Sequence, residues 1–520
     1  MNNSLFQRLL EYFHIDEKKY QEITRPVSSD TFAVGHNFKH INEAVALVKE
    51  AVDNHKKIFI YGDYDADGIM GTSILVKMFE YINYPVDYYI PSRYIDGYGL
   101  TYQRALEAIE NKVDLMITVD NGVAAFEAIK TLKEHNIKVL VLDHHEIGEE
   151  LPNADAILHP TFDEFGETPS SGAFVAFNFT RAYLGYFDKY LSTLASVSLI
   201  SDMMPLLDYN RDLLRIVFQN YKEGEFIQFD LLKEDEPFNE ATIGMKIAPK
   251  INSIGRLYED NSPNLLVKFF TSNNKEEILH YIDWINESNE ERKALSKASD
   301  EMTVDFIEGD KSLVYISETK EGLLGLVANN LMNKYHVPVV ALSLEKEKGV
   351  YKGSARAPLG FNIVDAFNYA KQYTIVAGGH ASAGGCSIKE EDIDGFTKKF
   401  KEYADTHPIE HIEKDYIELK LTEITKDNYK IIESFSPFGE SWPRPELLLN
   451  SISTKSLYFS KTGEHIFTQV GYGGRLVGFY FGMEEVKKYP FIDLVGNLRL
   501  NTFRGYTNVE FLIKEIKQMQ

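Results

Sequence analysis

Short apolar runs alternate with amphipathic helical patterns from about residue 40 onward. The runs IFIYGD, VDLMITVD and KVLVLD are separated by helical stretches such as GTSILVKMFEYINY and AAFEAIKTLKEH. Strands and helices that alternate in this way predict a parallel sheet covered by helices. Functional groups in such sheets lie beyond the carboxyl ends of the strands. We expect an α/β domain over residues 31–273, after an N-terminal segment at residues 1–30.

Three further segments follow this domain. Residues 274–307 combine helical spacing with dense charge and contain no glycine or proline, which predicts a long connecting helix. A second α/β pattern, with SLVYIS, PVVALS and the glycine-rich GGHASAGG, covers residues 308–405. Over residues 412–520 short strand patterns alternate with turns, which is typical of an OB-like β-barrel. The predicted fold is therefore two α/β lobes joined by a long helix, with a C-terminal barrel.

Composition and charge limit the class of protein. A chain of 520 residues is too long for a single core. The net charge of −23 argues against a protein that coats nucleic acid, yet residues 451–520 carry nine Lys or Arg against six Asp or Glu. A single cysteine, Cys386, rules out an intramolecular disulfide and a thiolate zinc cage. Neither a membrane span nor a cleavable signal is visible, so a cytoplasmic protein is expected.

Acids and histidines follow three consecutive predicted strands. They lie in YGDYDADG, TVDNG and LDHHE, and a further acid lies in SDMMP: Asp63, Asp65, Asp67, Asp120, Asp143, His144, His145 and Asp202. Taken singly, a DxD after a strand is more often a helix cap, and a His-His pair more often a satisfied polar pair. Together they favour metal binding, because divalent cations remove the repulsion between crowded carboxylates. Carboxylates with imidazole suit Mn²⁺ or Mg²⁺, which predicts two divalent cations in a two-metal hydrolase.

These four motifs resemble, in order and spacing, those of the DHH phosphoesterase superfamily, and the resemblance to its RecJ exonuclease branch runs from about residue 30 to the C-terminus. It implies one set of metal ligands: Asp65, Asp67, Asp120, His144 and Asp202, with Asp120 as the bridge. It also implies that Asp63 is an outer ligand or supports the ligands, that Asp143 orients the histidines, and that His145 faces the scissile phosphate as a donor or general acid.

One position departs from other branches of the superfamily. Family II pyrophosphatases and some oligonucleotide-degrading relatives carry a histidine four residues before the first ligand aspartate, and Tyr61 stands there in this chain. The substitution favours the RecJ branch. It also leaves the ligand set of one metal to be completed by water or by Asp63.

Candidate substrate contacts lie in four segments. Arg93 in IPSRYIDGYGL can grip two phosphate oxygens, although a surface arginine that caps a loop is an equally open interpretation. The segment KIAPKINSIGRL resembles a RecJ pattern and offers Lys250, Asn252 and Arg256. KGSAR and GGHASAGG resemble the DHH-associated domain, where glycines admit a phosphate and side chains donate to it: Ser354, Arg356, Gly379 and His380.

The last segment offers aromatic and basic side chains that could stack on bases and follow phosphates. They are Tyr472, Tyr480, Phe481, Arg499, Phe503, Arg504 and Tyr506. About half of the aromatic members are expected in the core instead. The segment as a whole resembles the RecJ OB-type domain.

The resemblance implies a metal-dependent 5′-to-3′ exonuclease that degrades single-stranded DNA to mononucleotides in recombination and repair. In this hypothesis Asp120 aligns the cations, while His145 and Arg256 offset charge in the transition state. The expected partner is the 5′ end of single-stranded DNA, with a single-strand-binding protein or a helicase as candidate protein partners, no membrane, and a monomeric state. Two alternatives stay open: a phosphodiesterase of short oligonucleotides or cyclic dinucleotides, and a binding scaffold with an inactive site.

Overall fold

The structure is a computed structural model of the chain and describes residues 4–32, 38–162, 168–258, 260, 262–300, 306–307, 309–409, 414–471, 473–503 and 505–518. The chain divides into two compact units. The larger unit comprises Ala33–Met204 and Val217–Ile412. The smaller unit comprises Met1–Phe32, Pro205–Ile216 and Glu413–Gln520.

The helices, in chain order, are α1 (Leu5–Tyr12), α2 (Glu17–Thr24), α3 (Ile41–Asp53), α4 (Ala66–Tyr81), α5 (Tyr102–Glu110), α6 (Phe126–Glu134), α7 (Gly172–Leu184), α8 (Lys189–Ser201), α9 (Asp208–Asn220), α10 (Ile227–Lys233), α11 (Glu240–Thr242), α12 (Ala248–Leu257), α13 (Pro263–Thr271), α14 (Lys275–Asp300), α15 (Leu324–Tyr335), α16 (Ile363–Tyr369), α17 (Ile393–Thr406), α18 (Lys426–Glu433) and α19 (Met483–Val486). A π-helical turn, Ile243–Ile247, precedes α12.

The strands are β1 (Ile58–Tyr61), β2 (Asp87–Tyr89), β3 (Leu115–Val119), β4 (Lys138–Leu142), β5 (Ala156–Leu158), β6 (Leu313–Ile316), β7 (Val339–Glu345), β8 (Val350–Arg356), β9 (Val376–Gly379), β10 (Ala383–Lys389), β11 (Ile417–Glu418), β12 (Leu447–Ser453), β13 (Ile466–Val470), β14 (Gly474–Gly478), β15 (Phe491–Phe503) and β16 (Tyr506–Gln518).

A five-stranded parallel sheet in the order β2-β1-β3-β4-β5 forms the first lobe of the larger unit. All five residues of β3, LMITV, are buried, because helices cover both faces of the sheet. The register pairs Thr118 with both Tyr61 and Val141, so β1, β3 and β4 end side by side. The residues that follow these strands therefore share one edge of the sheet.

The second lobe contains a mixed sheet in the order β6-β7-β8-β10-β9. Strands β8 and β10 pair antiparallel, with Arg356 opposite Ala383. The helix α14 precedes this lobe along the chain and begins within one residue of the predicted start at 274. The prediction of two α/β lobes joined by a long helix is confirmed.

The smaller unit is built on a six-stranded sheet in the order β11-β12-β15-β16-β14-β13. It also contains the N-terminal helices α1 and α2, which the sequence pattern set apart as a separate segment. The ring of Phe13 stacks on Trp442 at 4.2 Å and 10°, so aromatic packing holds the N-terminal segment in this unit. Within the described residues, no helix has the length and apolar character needed to cross a membrane.

Candidate active site

The acids and histidines at the strand ends lie together in the structure. Asp120 follows β3 directly, Asp143 follows β4 directly, and Asp63 lies two residues beyond β1. Asp202 joins them from the end of α8. Three groups of side chains bring ligand atoms within 4.8 Å of one another: Asp63, Asp65 and Asp120; Asp67, His144 and Asp202; and Asp120, His144 and His145.

His144 lies at the centre of this cluster. Its Nε2 atom is 3.0 Å from Asp120 Oδ1, 3.5 Å from Asp67 Oδ2 and 3.6 Å from Asp202 Oδ2. Asp120 has one oxygen within reach of His144 and also belongs to the group with Asp63 and Asp65. Asp120 therefore stands between the two sets of carboxylates.

The carboxylates of the cluster repel one another in a buried setting. Burial and, after it, the negative charge of Asp67 raise the pKa of Asp202 to about 9. Burial and the charges of Asp67, Asp65 and Asp63 raise the pKa of Asp120 well above its usual range. Among the described residues, Asp63 Oδ1 and Asp202 Oδ2 are buried oxygens without a hydrogen-bond partner. Hard oxygen ligands that lack compensating charge fit divalent cations such as Mn²⁺ or Mg²⁺.

Helix termini hold the DxD segment in place. Asp65 caps α4 and accepts hydrogen bonds from the amides of Asp67, at 2.9 Å, and Gly68, at 3.2 Å. Asp67 accepts from the amides of Gly172 and Ala173 at the start of α7, both at 2.7 Å. The helix dipole of α7 favours a negative charge at this position. The hydroxyl of Ser198 also donates to Asp67.

Asp120 is held in an uncommon backbone conformation. Its φ angle is +62°, in the left-handed region, and its amide donates to Leu142 O at 2.9 Å. Gly172 packs against it so closely that a Cβ added there would lie 2.7 Å from Asp120 Cβ and 2.8 Å from its Cα. The side chain of Asn121 donates to the carbonyls of Gly62 and Val119, which ties the ends of β1 and β3 together.

Asp143 faces His145 rather than the carboxylate cluster. His145 Nδ1 lies 2.8 Å from Asp143 Oδ1, and the amide of Val123 donates to the other oxygen at 2.9 Å. Burial acts to raise the pKa of Asp143, but the hydrogen bonds from His145 and Val123 outweigh it and lower the pKa. An ionised Asp143 fixes the Nδ1–H tautomer of His145. His159, which the sequence patterns did not single out, lies with Nε2 2.8 Å from the carbonyl of His145.

A basic cavity of about 840 Å³ lies between the two lobes of the larger unit. Its lining includes Arg93, Arg256, Ser354, Arg356 and Gly379. Burial, with the neighbouring charges of Arg93, Arg292 and Arg356, lowers the pKa of Arg256 to about 10, because a buried cation beside other cations is disfavoured in its charged form. Crowded guanidinium groups around a glycine-rich strand fit a phosphate group.

Arg93 stacks on the aromatic ring of Tyr64, a residue that the sequence patterns did not single out. Its guanidinium carbon lies 4.4 Å from the centre of the Tyr64 ring, and its buried Nε has no hydrogen-bond partner. Stacking on Tyr64 fixes the plane of the guanidinium group. The remaining nitrogens can then face the cavity.

Three predicted substrate contacts are not brought into this cavity. Lys250 is 4% exposed, and its ammonium group donates to Leu232 O at 3.0 Å and to Glu234 at 2.7 Å. Asn252 accepts from the amide of Ala66 at 2.9 Å and so supports the DxD segment. His380 is exposed at the turn between β9 and β10 and is not among the described residues that line the cavity.

The aromatic and basic candidates of the smaller unit differ in their exposure. Tyr480 and Tyr506 are 86% and 76% exposed, whereas Phe481 is half-buried. Arg499 donates to the buried Glu510 at 3.0 Å. Tyr472, Arg504 and the side chain of Phe503 lie outside the described residues.

Three family profiles match successive parts of the chain. The DHH family N-terminal domain matches residues 57–201, the DHHA1 domain matches 309–406, and the RecJ OB domain matches 417–515. Between them they cover the sheets of both lobes of the larger unit and most of the sheet of the smaller unit. The order of these profiles agrees with the predicted order of the lobes and the OB-like domain.

The chain is also similar to two curated proteins named single-stranded-DNA-specific exonuclease RecJ. That of Haemophilus influenzae is 30% identical over 99% of this chain and 96% of the relative. That of Bacillus subtilis is 30% identical over 92% of this chain, and the chain spans 63% of that relative. The crystal structure of RecJ in complex with Mn²⁺ from Thermus thermophilus shares the fold, with a TM-score of 0.86 at 24% identity over 99% of this chain and 76% of that one.

Proposed function

This chain belongs to the RecJ family of single-stranded-DNA-specific exonucleases, and we propose that it hydrolyses single-stranded DNA from the 5′ end to mononucleotides with two divalent cations. The observation that supports this proposal most is the cluster of buried carboxylates and His144 beside an arginine-lined cavity. The first feature fits a pair of cations, and the second fits a terminal phosphate. A two-metal phosphodiesterase that acts at an end needs both.

The ligand groups suggest how the chain holds the two cations. Asp63, Asp65 and Asp120 would hold one cation. Asp67, His144 and Asp202 would hold the other, with Asp120 close enough to His144 to serve both. Mn²⁺ or Mg²⁺ bound there would supply an activated water molecule and would stabilise the leaving oxygen.

The protein side chains would bind and orient the strand. Arg93, Arg256 and Arg356 would grip the terminal 5′-phosphate, with the hydroxyl of Ser354 and the backbone of Gly379 against the same group. A pocket that binds the terminal 5′-phosphate would fix how far the bond that is cut lies from the strand end. We propose that this distance is one nucleotide, so that the product is a mononucleotide.

His145 would act on the scissile phosphate. Because Asp143 holds its Nδ1 atom, the substrate would meet the Nε2 atom, which also lies 2.7 Å from the hydroxyl of Tyr98. A proton on Nε2 would stabilise the charge that develops on a phosphate oxygen in the transition state. Arg256, which lines the cavity, would neutralise negative charge on the phosphates of the same DNA strand.

The charge of the chain and its family support a proposal for its cellular setting. With a net charge of −23, the chain attracts nucleic acid only at local basic sites. The rest of the acidic surface repels the phosphates of a DNA strand. Delivery of the strand by a single-strand-binding protein or a helicase would overcome this repulsion. We propose a cytoplasmic monomer that works with such partners in recombination and repair.

The test is a digestion of single strands that carry a label at one end, with Mn²⁺ or Mg²⁺. A 5′ label should appear at once in a mononucleotide, whereas a 3′ label should remain in products that shorten gradually. Release of the 3′ label first would contradict the proposed polarity. Cleavage of dinucleotides or cyclic dinucleotides without digestion of the long strand would instead favour the short-substrate phosphodiesterase.

A further inference from the structure

Tyr98 reaches the candidate active site from a loop that is firmly held. The loop connects β2 to α5, and Tyr98 lies between Gly97 and Gly99, whose φ angles of +77° and +71° are in the left-handed region. The hydroxyl of Tyr61, at the position where other branches carry a histidine, donates to Gly99 O at 3.2 Å. Asp96 accepts from the amide of Ser92 at 2.7 Å and anchors the preceding turn.

The hydroxyl of Tyr98 lies against the imidazole of His145. It is 2.7 Å from Nε2 and 3.1 Å from Nδ1. Because Nδ1 is already 2.8 Å from Asp143 Oδ1, Nε2 is the partner of the hydroxyl. The same hydroxyl lies 3.3 Å from the carbonyl oxygen of Asp120. His145 is therefore held by Asp143 on one nitrogen and by Tyr98 on the other.

Tyr98 is also open to the space in which a substrate would lie. The residue is 52% exposed and lines the cavity together with Arg93 and Arg256. Its hydroxyl, however, is turned inward and reaches His145 Nε2 and the carbonyl of Asp120. A phosphate oxygen bound in the cavity would share the hydrogen bond of Nε2 with this hydroxyl.

We propose that Tyr98 is a positioning residue for hydrolysis, whose hydroxyl fixes the orientation of the His145 imidazole towards the scissile phosphate. With Asp143 alone, the ring could pivot about the Nδ1 hydrogen bond and carry Nε2 away from the phosphate. The proposal rests on the proposed nuclease function and on the role of His145 in it. It adds a residue from the loop after β2, which holds no metal ligand.

The first experiment compares Tyr98→Phe with Tyr102→Phe. Both changes remove one hydroxyl from a half-exposed tyrosine, but Tyr102 lies on α5 and lines no part of the cavity. With 5′-phosphorylated single strands and Mn²⁺, Tyr98→Phe should lower kcat by about 10- to 100-fold, since small misplacements of reacting groups cost that much. KM and the melting temperature should stay at the wild-type values, and Tyr102→Phe should match the wild type. A wild-type kcat in Tyr98→Phe would overturn the proposal.

The second experiment tests whether Tyr98 acts through His145. In a His145→Ala background, Tyr98→Phe should cause no further loss of kcat, because the residue it positions is gone. A loss as large as in the wild-type background would show that Tyr98 acts independently and would overturn the proposal.

A measurement without substrate separates this proposal from the proposed function. In protein with labelled histidine, the His145 ring resonance is assigned from its loss in His145→Ala. That resonance should shift in Tyr98→Phe and stay in place in Tyr102→Phe. An unchanged resonance would refute the positioning role, whereas a wild-type protein that digests no strand would refute the proposed nuclease function.

Discussion

Replacing Gly172 with alanine should displace Asp120 and disable catalysis. The new Cβ would lie 2.7 Å from Asp120 Cβ, which is 0.7 Å short of the 3.4 Å at which ordinary contact begins. Neither side can yield easily, because Asp120 N donates to Leu142 O and Gly172 N donates to Asp67. A forced shift in a packed core costs about 1–3 kcal/mol of folding free energy. A displacement approaching 1 Å in a reacting group costs about 100-fold in rate.

The matched control is Gly244→Ala. Gly244 is also in a helical turn of the larger unit, but an added Cβ would meet only Ile200 Cγ2 at 3.6 Å, an ordinary contact. Measurements of kcat with Mn²⁺ and of the free energy of unfolding in urea should show losses in Gly172→Ala alone. Gly244→Ala should be neutral or stabilising by up to about 1 kcal/mol, as glycine is unfavourable in helices. Wild-type kcat in Gly172→Ala would refute the claim that Gly172 sets the position of Asp120.

Further predictions concern metal, charge and packing. Removal of divalent cations with EDTA should abolish hydrolysis and lower the melting temperature, and Mn²⁺ should restore both. Asp202→Asn should raise the melting temperature of the metal-free protein, because its carboxylate is crowded, and should weaken Mn²⁺ binding by about 10-fold or more in calorimetric titrations. Arg256→Gln should raise KM for 5′-phosphorylated strands by about 10- to 100-fold, the equivalent of one charge-assisted hydrogen bond, and leave KM for 5′-hydroxyl strands nearly unchanged. Arg211→Met should lower the unfolding free energy in urea by about 3–5 kcal/mol, because the buried guanidinium donates to the carbonyls of Phe435, Ser436 and Pro437.

The grouping of the acids could be predicted from sequence because parallel strands have a fixed geometry. Adjacent parallel strands end at the same edge of the sheet, so residues just after β1, β3 and β4 must come close together. The arginine cavity was anticipated in part, since Arg93, Arg256 and Arg356 lie in motifs with neighbouring glycines. Neither inference needs side-chain packing to be known in advance.

Other features depend on packing between distant segments, which no local pattern reveals. Lys250 shares its segment with Arg256, yet one turns inward to Glu234 and the other faces the cavity. The N-terminal segment joins the smaller unit through the stacking of Phe13 on Trp442, far away in the chain. Tyr98 lies in the same segment as Arg93, but its role depends on the glycines on either side and on the position of His145, which the sequence pattern does not give.

The most direct test of the two-cation site is a crystal soaked in Mn²⁺ and measured at a wavelength where manganese scatters anomalously. We expect two anomalous peaks. One should be in contact with Asp63, Asp65 and Asp120, and the other with Asp67, His144 and Asp202. Absence of density among these side chains, or manganese bound only elsewhere on the chain, would contradict the metal-dependent mechanism.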